Sequence, residues 1–446
     1  MVRVRPFIER FRSVMACVKS AGIGNTTVYA ISRLMPKQFA LLNHIIRSGG
    51  AGGQINDVTY KFAMGSVFDY QDWTKFGGAK APVTPRKKPH CHIQHCYIWF
   101  VPDWLNVWGG GHYTLFRFAN HFAKRGKSRQ IIFIYNNNRH KTPVSLQADL
   151  NASIPDCELE VIVDPTLLPA CQIAMATTWQ SAYSVRAFPF AERKFYFMQD
   201  YESQFYAYGT ASIQANNTYT FGFTGITGGH WLKSMYQFHG GQAENYIFAA
   251  DRNIFYPEQK NGAVRAKVSK IFFYGRPSTE RRCFELGIAG LKKIAEKYPD
   301  VEIVIAGLDL SSPPPFKATL LGNLSLHATG DLYRSCDMGL AFSGTNLSYL
   351  PVELMACGVP VISNNGPQVE WYCRHMENAY LSDPTPTAIL NAFEALNESQ
   401  RTRQKLADGG IKKTAEVTWE SEIDRIYNYV QKSLHKDIVS NVAVDG

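Results

Sequence analysis

Four stretches of the sequence carry side chains able to bind or transform a small charged molecule. The first is Gly109-Gly110-Gly111-His112. Glycines before a helix let backbone amides approach an anion, which the helix dipole also favours; the plainer use of such glycines is a tight packing turn. The second is Tyr274-Gly275-Arg276-Pro277-Ser278-Thr279-Glu280-Arg281-Arg282. Guanidiniums at a strand end can grip a diphosphate in paired hydrogen bonds, although arginines on a helix often simply face water. Arg276 stands apart because Gly-Arg-Pro is not helical. The third runs from Ser343 to Ser363, where a polar loop enters a short helix with Glu353 in its first turn and Gly358 at its stop. Loop amides there could hold phosphate or sugar. Glu353 could accept from ribose hydroxyls, or only offset the helix dipole. The fourth, Asp200-Tyr201-Glu202, follows a strand and offers an acid or base, or an ordinary surface loop.

Such loops act together only if the fold gathers them. Apolar runs predict strands at 93–101, 131–135, 159–163, 173–177, 195–198, 219–223 and 246–248, with Leu115, Phe118, Ala119 and Phe122 at helical spacing after the glycine loop. After a polar stretch at 258–267 the alternation restarts, with strands at 271–274, 302–306, 338–342 and 361–363 and helices carrying Ile288 and Leu291 and spanning 352–357. Strand-helix-strand repetition predicts two α/β domains with parallel sheets, and ligands of such sheets gather beyond the carboxyl ends of the strands. The expected division is a basic leader and linker at 1–88, domains at 89–261 and 262–418, and a final helix and tail at 419–446. Trp419, Ile423, Ile426 and Tyr427 line one side of that helix, and periodicity does not say which domain receives it.

At 446 residues, with 45% apolar and 19% charged residues, the chain can bury two cores. Its net charge of +10 suits an anionic partner. Residues 1–47 hold eight basic side chains against the single acid Glu9, so the leader is either a contact with an anionic membrane surface or a helix packed on the N-terminal domain with its basic face in water. No nucleic-acid-binding module accompanies that charge, and nucleic acid is not expected as a partner. Nine scattered cysteines read as reduced thiols of a cytoplasmic protein. No signal-length apolar core and no run of about 18 apolar residues is present, so neither secretion nor a spanning helix is expected. A dinucleotide fingerprint fails, because Thr114 takes the third glycine place and Asn136 to Asn138 stand where an acid would follow the next strand. His90, Cys91, His92, His95 and Cys96 lack a second distant pair and alternate across a strand, so no metal is expected.

Taken together, Glu353-Leu354-Met355-Ala356-Cys357-Gly358-Val359-Pro360-Val361-Ile362, Gly275-Arg276 followed by basic Arg281, and the glycine loop resemble the retaining GT-B glycosyltransferases of family 4. The runs Tyr196 to Glu202, Tyr274 to Pro277 and Ser348 to Glu353 are similar to WsaF-type rhamnosyltransferases. The resemblance spans roughly residues 93–430 and implies two Rossmann-like domains facing across a cleft. By position it implies that Arg276 and Arg281 bind a donor diphosphate and Glu353 the ribose. It sets the amides of Ser348, Tyr349 and Leu350 near phosphate and sugar, and those of Gly110 and Gly111, with His112, beside the reacting centre. Asp200 and Arg276 are the expected catalytic groups. No protein nucleophile is implied, since a donor phosphate oxygen can take the acceptor's proton. Where the family has its first acid this chain has Thr345, which suits a less hydroxylated sugar such as a deoxyhexose. The implied activity is transfer of a sugar, for example from dTDP-rhamnose, to a glycan or lipid-linked glycan of a bacterial surface polysaccharide, at the cytoplasmic face of the membrane and without a cofactor. A sugar-nucleotide epimerase of the same architecture, which needs no acceptor, and a glycan-binding protein without catalysis are the alternatives.

Overall fold

The computed structural model describes residues 95–137, 139–258, 264–307 and 313–442. The leader, residues 93–94 of the expected first strand, the residues His90, Cys91 and His92 and the expected domain boundary at 261–262 lie outside the described residues.

The first sheet grows from β1 (Cys96–Pro102), whose run Cys-Tyr-Ile-Trp-Phe-Val is buried on both faces as a central parallel strand must be. Alternation sorts it: Tyr97, Trp99 and Val101 face one core, Cys96, Ile98 and Phe100 the other. Helix α1 (Gly110–Gly126) leads to β2 (Arg129–Asn136), and α2 (Pro143–Ser153) to β3 (Leu159–Ile162). The chain then crosses to β4 (Cys171–Ala176), α3 (Trp179–Ala187), β5 (Ala191–Met198), α4 (Thr210–Asn217), β6 (Thr224–Gly228), α5 (His230–Phe238) and β7 (Ala243–Tyr246). The strand order is β3-β2-β1-β4-β5-β6-β7, with every pairing parallel.

The second sheet repeats the plan. It comprises β8 (Lys270–Tyr274), β9 (Glu302–Ala306), β10 (Thr319–Leu321), β11 (Met338–Leu340), β12 (Val361–Asn364) and β13 (Tyr380–Ser382), in the order β10-β9-β8-β11-β12-β13. Its helices are α6 (Phe284–Lys297), α7 (Leu326–Ser335), α8 (Tyr349–Ala356), α9 (Pro367–Glu370), α10 (Pro386–Glu398) and α11 (Gln400–Thr414). In both sheets the order reverses beside the first strand, between β1 and β4 and between β8 and β11, which opens a crevice at each carboxyl edge. These are the two Rossmann-like parallel-sheet domains that the sequence implies.

Helix α12 (Trp419–Val442) leaves the second domain and packs on the first. Its stripe Trp419, Ile423, Ile426, Val430 and Leu434 is buried, Tyr427 meets Phe122 edge-on, and Gln431 donates to the Tyr97 hydroxyl at 2.7 Å. Glu422 accepts from the Ile247 amide at 2.7 Å, closing the end of β7.

Three expectations are corrected. Residues 219–223 form no strand: Thr218–Thr220 is a 3-10 turn and the strand is β6. The aromatics that suggested a strand pack as a layer instead, with Tyr219 stacked on Tyr201 and edge-on to Tyr236. The real strand, Thr-Gly-Ile-Thr-Gly, hides from an apolar count because a Cβ on Gly225 would stand 2.8 Å from the Ala243 methyl. The next strand ends at Tyr246 rather than beginning there. Finally, α8 starts at Tyr349, which sets Glu353 in the second turn; Pro351, tolerated in a first turn where the amides lack acceptors, hides the earlier start.

Candidate functional site

The loops beyond the carboxyl ends of the two sheets meet. On the first domain, β1 runs into a turn held by buried Asp103, which accepts from the Arg139 amide at 2.6 Å and its guanidinium at 2.7 Å. Helix α1 then begins at Gly110, with no acidic residue in its first turn. The leading amides of a helix have no intrahelical acceptor, so those of Gly110 and Gly111 present donors at the crevice. Gln199, directly after β5, donates to the Gly111 carbonyl at 2.8 Å and ties this helix start to the loop carrying Asp200. His112 turns the other way. Its Nε2 lies 3.3 Å from the Pro102 carbonyl and its ring sits between Trp104 and Phe116, where burial lowers its pKa.

On the second domain, the three arginines of the loop after β8 part company. Arg276 is exposed and its guanidinium has no hydrogen-bond or ion-pair partner among the described residues. Arg281 crosses to the first domain, where Nε donates to Asp200 Oδ2 at 3.0 Å and the guanidinium lies 3.9 Å over the ring of Phe205. Arg282 points inward to Ser343 Oγ at 2.6 Å and the Asn346 carbonyl at 2.9 Å, and stands 3.5 Å from Asp200. Burial lowers its pKa to about 10, with Asp200 pulling the other way, so it stays charged at neutral pH.

Asp200 is therefore the centre of an interdomain clasp. Its Oδ1 accepts from the Tyr201 and Asn346 amides, both at 2.9 Å, and its Oδ2 faces both guanidiniums. Asn346 completes the clasp, donating from its side chain to the Gln199 carbonyl at 3.1 Å and the Gly228 carbonyl at 2.6 Å, while its own oxygen accepts from the Trp371 indole at 3.1 Å. Gly229, at φ +88°, makes room for that indole, since a Cβ there would stand 2.4 Å from Trp371. The Asp200 carboxylate has both oxygens committed, so the expected catalytic acid or base is seen in the structure as a connector. Next to it Glu202 is pushed up to about 8 by burial, with Asp200 adding to the rise, and accepts from the Trp179 amide at 2.5 Å.

The polar loop and α8 supply the remaining expected residues. Ser348 is the N-cap of α8 and makes no side-chain cap bond, and Leu350 follows half-buried in the first turn. Tyr349 reaches across the domains: its hydroxyl accepts from Thr114 at 3.0 Å and its ring packs on Phe248 with centroids 4.5 Å apart. Glu353 faces Tyr333, whose hydroxyl lies 3.5 Å from Oε2, and burial raises the carboxyl to about 7. Thr345 is buried and its Oγ1 has no hydrogen-bond partner among the described residues.

Of the residues expected from the sequence, Arg281 meets Asp200, the Asn346 amide of the 345–353 run meets Asp200, and Tyr349 meets Thr114 across the two domains, whereas the His112 ring turns away and Glu353 faces Tyr333 within its own domain. The sequence reading passed over Gln199, Asn346, Trp371 and Thr114, which join the two domains. Asn346 lay inside the quoted polar loop, but nothing in a single sequence shows that its amide crosses to β6. The seven cysteines among the described residues are free thiols, and no described helix is long and apolar enough to cross a membrane.

Comparison with known proteins matches residues 269–394 to the WsaF C-terminal domain. The O-antigen biosynthesis protein RfbC of Myxococcus xanthus is 38% identical over 342 residues, which is 74% of this chain but 26% of that protein, so the chain spans about a quarter of that relative's length. Among solved structures, sucrose-phosphate synthase of Thermosynechococcus elongatus is similar with a TM-score of 0.60 at 13% identity, over 77% of this chain and all of that one. Anabaena HepE in complex with UDP-glucose gives 0.59 at 15% identity, over 76% of this chain and all of that one. At such identities the likeness shows the fold, and the fold of this chain is GT-B.

Proposed function

We propose that this chain is a glycosyltransferase that moves a sugar from a nucleoside diphosphate donor to a glycan acceptor during assembly of a surface polysaccharide. The observation that carries the reading is the arginine pair Arg281 and Arg282, which holds an anionic group, the Asp200 carboxylate, at the crevice where the glycine-headed α1 also points. A site that stabilises one anion with two guanidiniums and lies beside helix amides suits a leaving diphosphate. The match to the WsaF C-terminal domain, the name of the RfbC relative and the UDP-glucose bound in HepE support the same class.

In this reading Arg276 and Arg281 bind the diphosphate and Glu353 accepts from the ribose. The Ser348, Tyr349 and Leu350 amides lie along phosphate and sugar, and Gly110 and Gly111 face the reacting carbon. Transfer proceeds with retention: the bond from the anomeric carbon to the diphosphate oxygen breaks, the acceptor oxygen bonds to that carbon on the same face, and its proton passes to the departing phosphate. Asp200 acts by positioning Arg281 and the Asn346 loop rather than as a base. The donor sugar is a deoxyhexose, with dTDP-rhamnose the first candidate. The orphaned Thr345 hydroxyl, a group costly to leave unpaired at ~1–3 kcal/mol, stands where a carboxylate would otherwise read sugar hydroxyls. The acceptor is a glycan, carried on lipid, which the basic 1–47 segment approaches at an anionic cytoplasmic membrane face.

Thermal shift with dTDP, UDP and GDP tests the reading, because a nucleotide that binds only the folded state raises the melting temperature. One of the three should do so by several degrees, and the matching nucleotide sugar should release nucleotide only when a glycan acceptor is added. Release without acceptor, or no shift with any nucleotide, defeats it.

A further inference from the structure

Beside the clasp lies a stretch that carries no charge. From Ser203 to Gly229 there are 27 residues without one Asp, Glu, Lys, Arg or His, in a protein that is 19% charged. The segment begins directly after the Asp200 loop and exposes aromatic and apolar groups where it leaves it: Tyr206 is 38% exposed, Tyr208 91% and Ile213 45%. Apolar side chains of this size left in water mark binding surfaces when they cluster.

The surface is fixed from below. The Trp179 indole donates to the Tyr206 hydroxyl at 3.0 Å, Ser212 donates to the Ser203 carbonyl at 2.8 Å, and the Ser203 amide donates to Tyr219 at 3.1 Å. Phe205, between these anchors, carries the Arg281 guanidinium on its face, so the aromatic segment and the arginine of the crevice are in contact. Tyrosine rings supply rigid, amphipathic area at little entropic cost, and the surrounding Gln204, Thr210 and Gln214 bring donors and acceptors without charge.

On the reading that this chain transfers a sugar, we propose that the 203–213 segment seats the acceptor, and that what it seats is the uncharged sugar portion of a glycan, its rings lying on Tyr206 and Tyr208. The one cation against the segment, Arg281, is engaged by Asp200, and the segment itself carries no cation for a lipid phosphate or a uronic acid and no anion for an amino sugar, so charge complementarity selects a neutral saccharide. Continuity with Arg281 through Phe205 sets that saccharide next to the donor's diphosphate. A lipid surface would instead want cations among the exposed aromatics, and this segment has none.

The test uses the full chain and saturation-transfer NMR with neutral rhamno-, manno- and gluco-trisaccharides and a uronic-acid trisaccharide. At least one neutral probe should show transfer and the uronate none. Tyr208→Ala should weaken that binding by about tenfold or more and Tyr208→Trp should preserve it, with melting temperature and nucleotide-induced shift unchanged in both. Equal binding of neutral and uronate probes, binding untouched by Tyr208→Ala, or no neutral trisaccharide bound while the nucleotide shift persists overturns the proposal. So does sedimentation with phosphatidylcholine and phosphatidylglycerol vesicles that Tyr208→Ala abolishes in place of sugar binding. Loss of the nucleotide shift in the wild-type chain overturns the transferase reading itself, which keeps the two failures apart.

Discussion

Arg276 and Asp200 mark opposite extremes of how a charge can be held at the crevice. Arg276 is exposed and spends nothing on the fold, so Arg276→Ala should leave the melting temperature unchanged and lower turnover about 100-fold or more, the usual cost of removing one charge-stabilising donor. A folded variant with near-normal turnover removes Arg276 from the site. Asp200 is 8% exposed and faces the partly buried Arg282, so deleting its carboxylate strands a cation; Asp200→Ala should cost about 3 kcal/mol in denaturant unfolding. A loss under about 1 kcal/mol would show that the clasp carries no weight. Glu353 gives a pH signature. Its folded pKa of about 7 lies above the ordinary 4.5 because burial disfavours the charged form. Between those values the folded protein holds the extra proton, so stability falls as pH rises and the full loss is reached above about 7. Glu353→Gln should therefore flatten part of that fall in thermal melts from pH 5 to 8 and weaken nucleotide binding. A variant with wild-type affinity and unaltered pH slope leaves Glu353 no part in either.

Elements were legible where physics is local. The run at β1, the exact bounds of β9 and the apolar stripe of α12 follow from burial patterns that one sequence displays. Two kinds of element were not. Strand β6 is glycine-rich because Ala243 and Tyr236 press on it, a constraint imposed by neighbours far along the chain; the short edge strands β10 and β13 are three residues each and carry too little pattern. The site divides in the same way. Arginines and glycines at strand ends announce themselves by type, whereas Asn346 and Gln199 act through partners that only the fold supplies. Gly229 combines both lessons. Alanine there meets a left-handed backbone and the Trp371 ring, so Gly229→Ala should destabilise by about 1–3 kcal/mol and, by displacing the indole that bonds Asn346, reduce nucleotide affinity. Unchanged melting and affinity would mean that Trp371 can move aside freely.

At the scale of the whole molecule, the charge of the leader predicts a salt-dependent attraction. The full chain should sediment with anionic vesicles at low salt and a chain starting near residue 48 should not, since surface attraction of this kind is screened within about 10 Å at 0.1 M salt. Equal recovery of the two removes residues 1–47 from that role. The path of the last helix has a different kind of consequence. Because α12 follows the second domain in sequence yet completes the core against Tyr97, Phe118 and Phe122, the first domain is discontinuous along the chain. A chimera that exchanges everything after residue 264 between relatives would import a foreign wedge into the core of the first domain. One that exchanges 264–418 and keeps the native tail would not. Recombination among such chains should therefore leave crossovers in pairs, on either side of the second domain, and the inheritance of α12 should follow the first domain rather than the second.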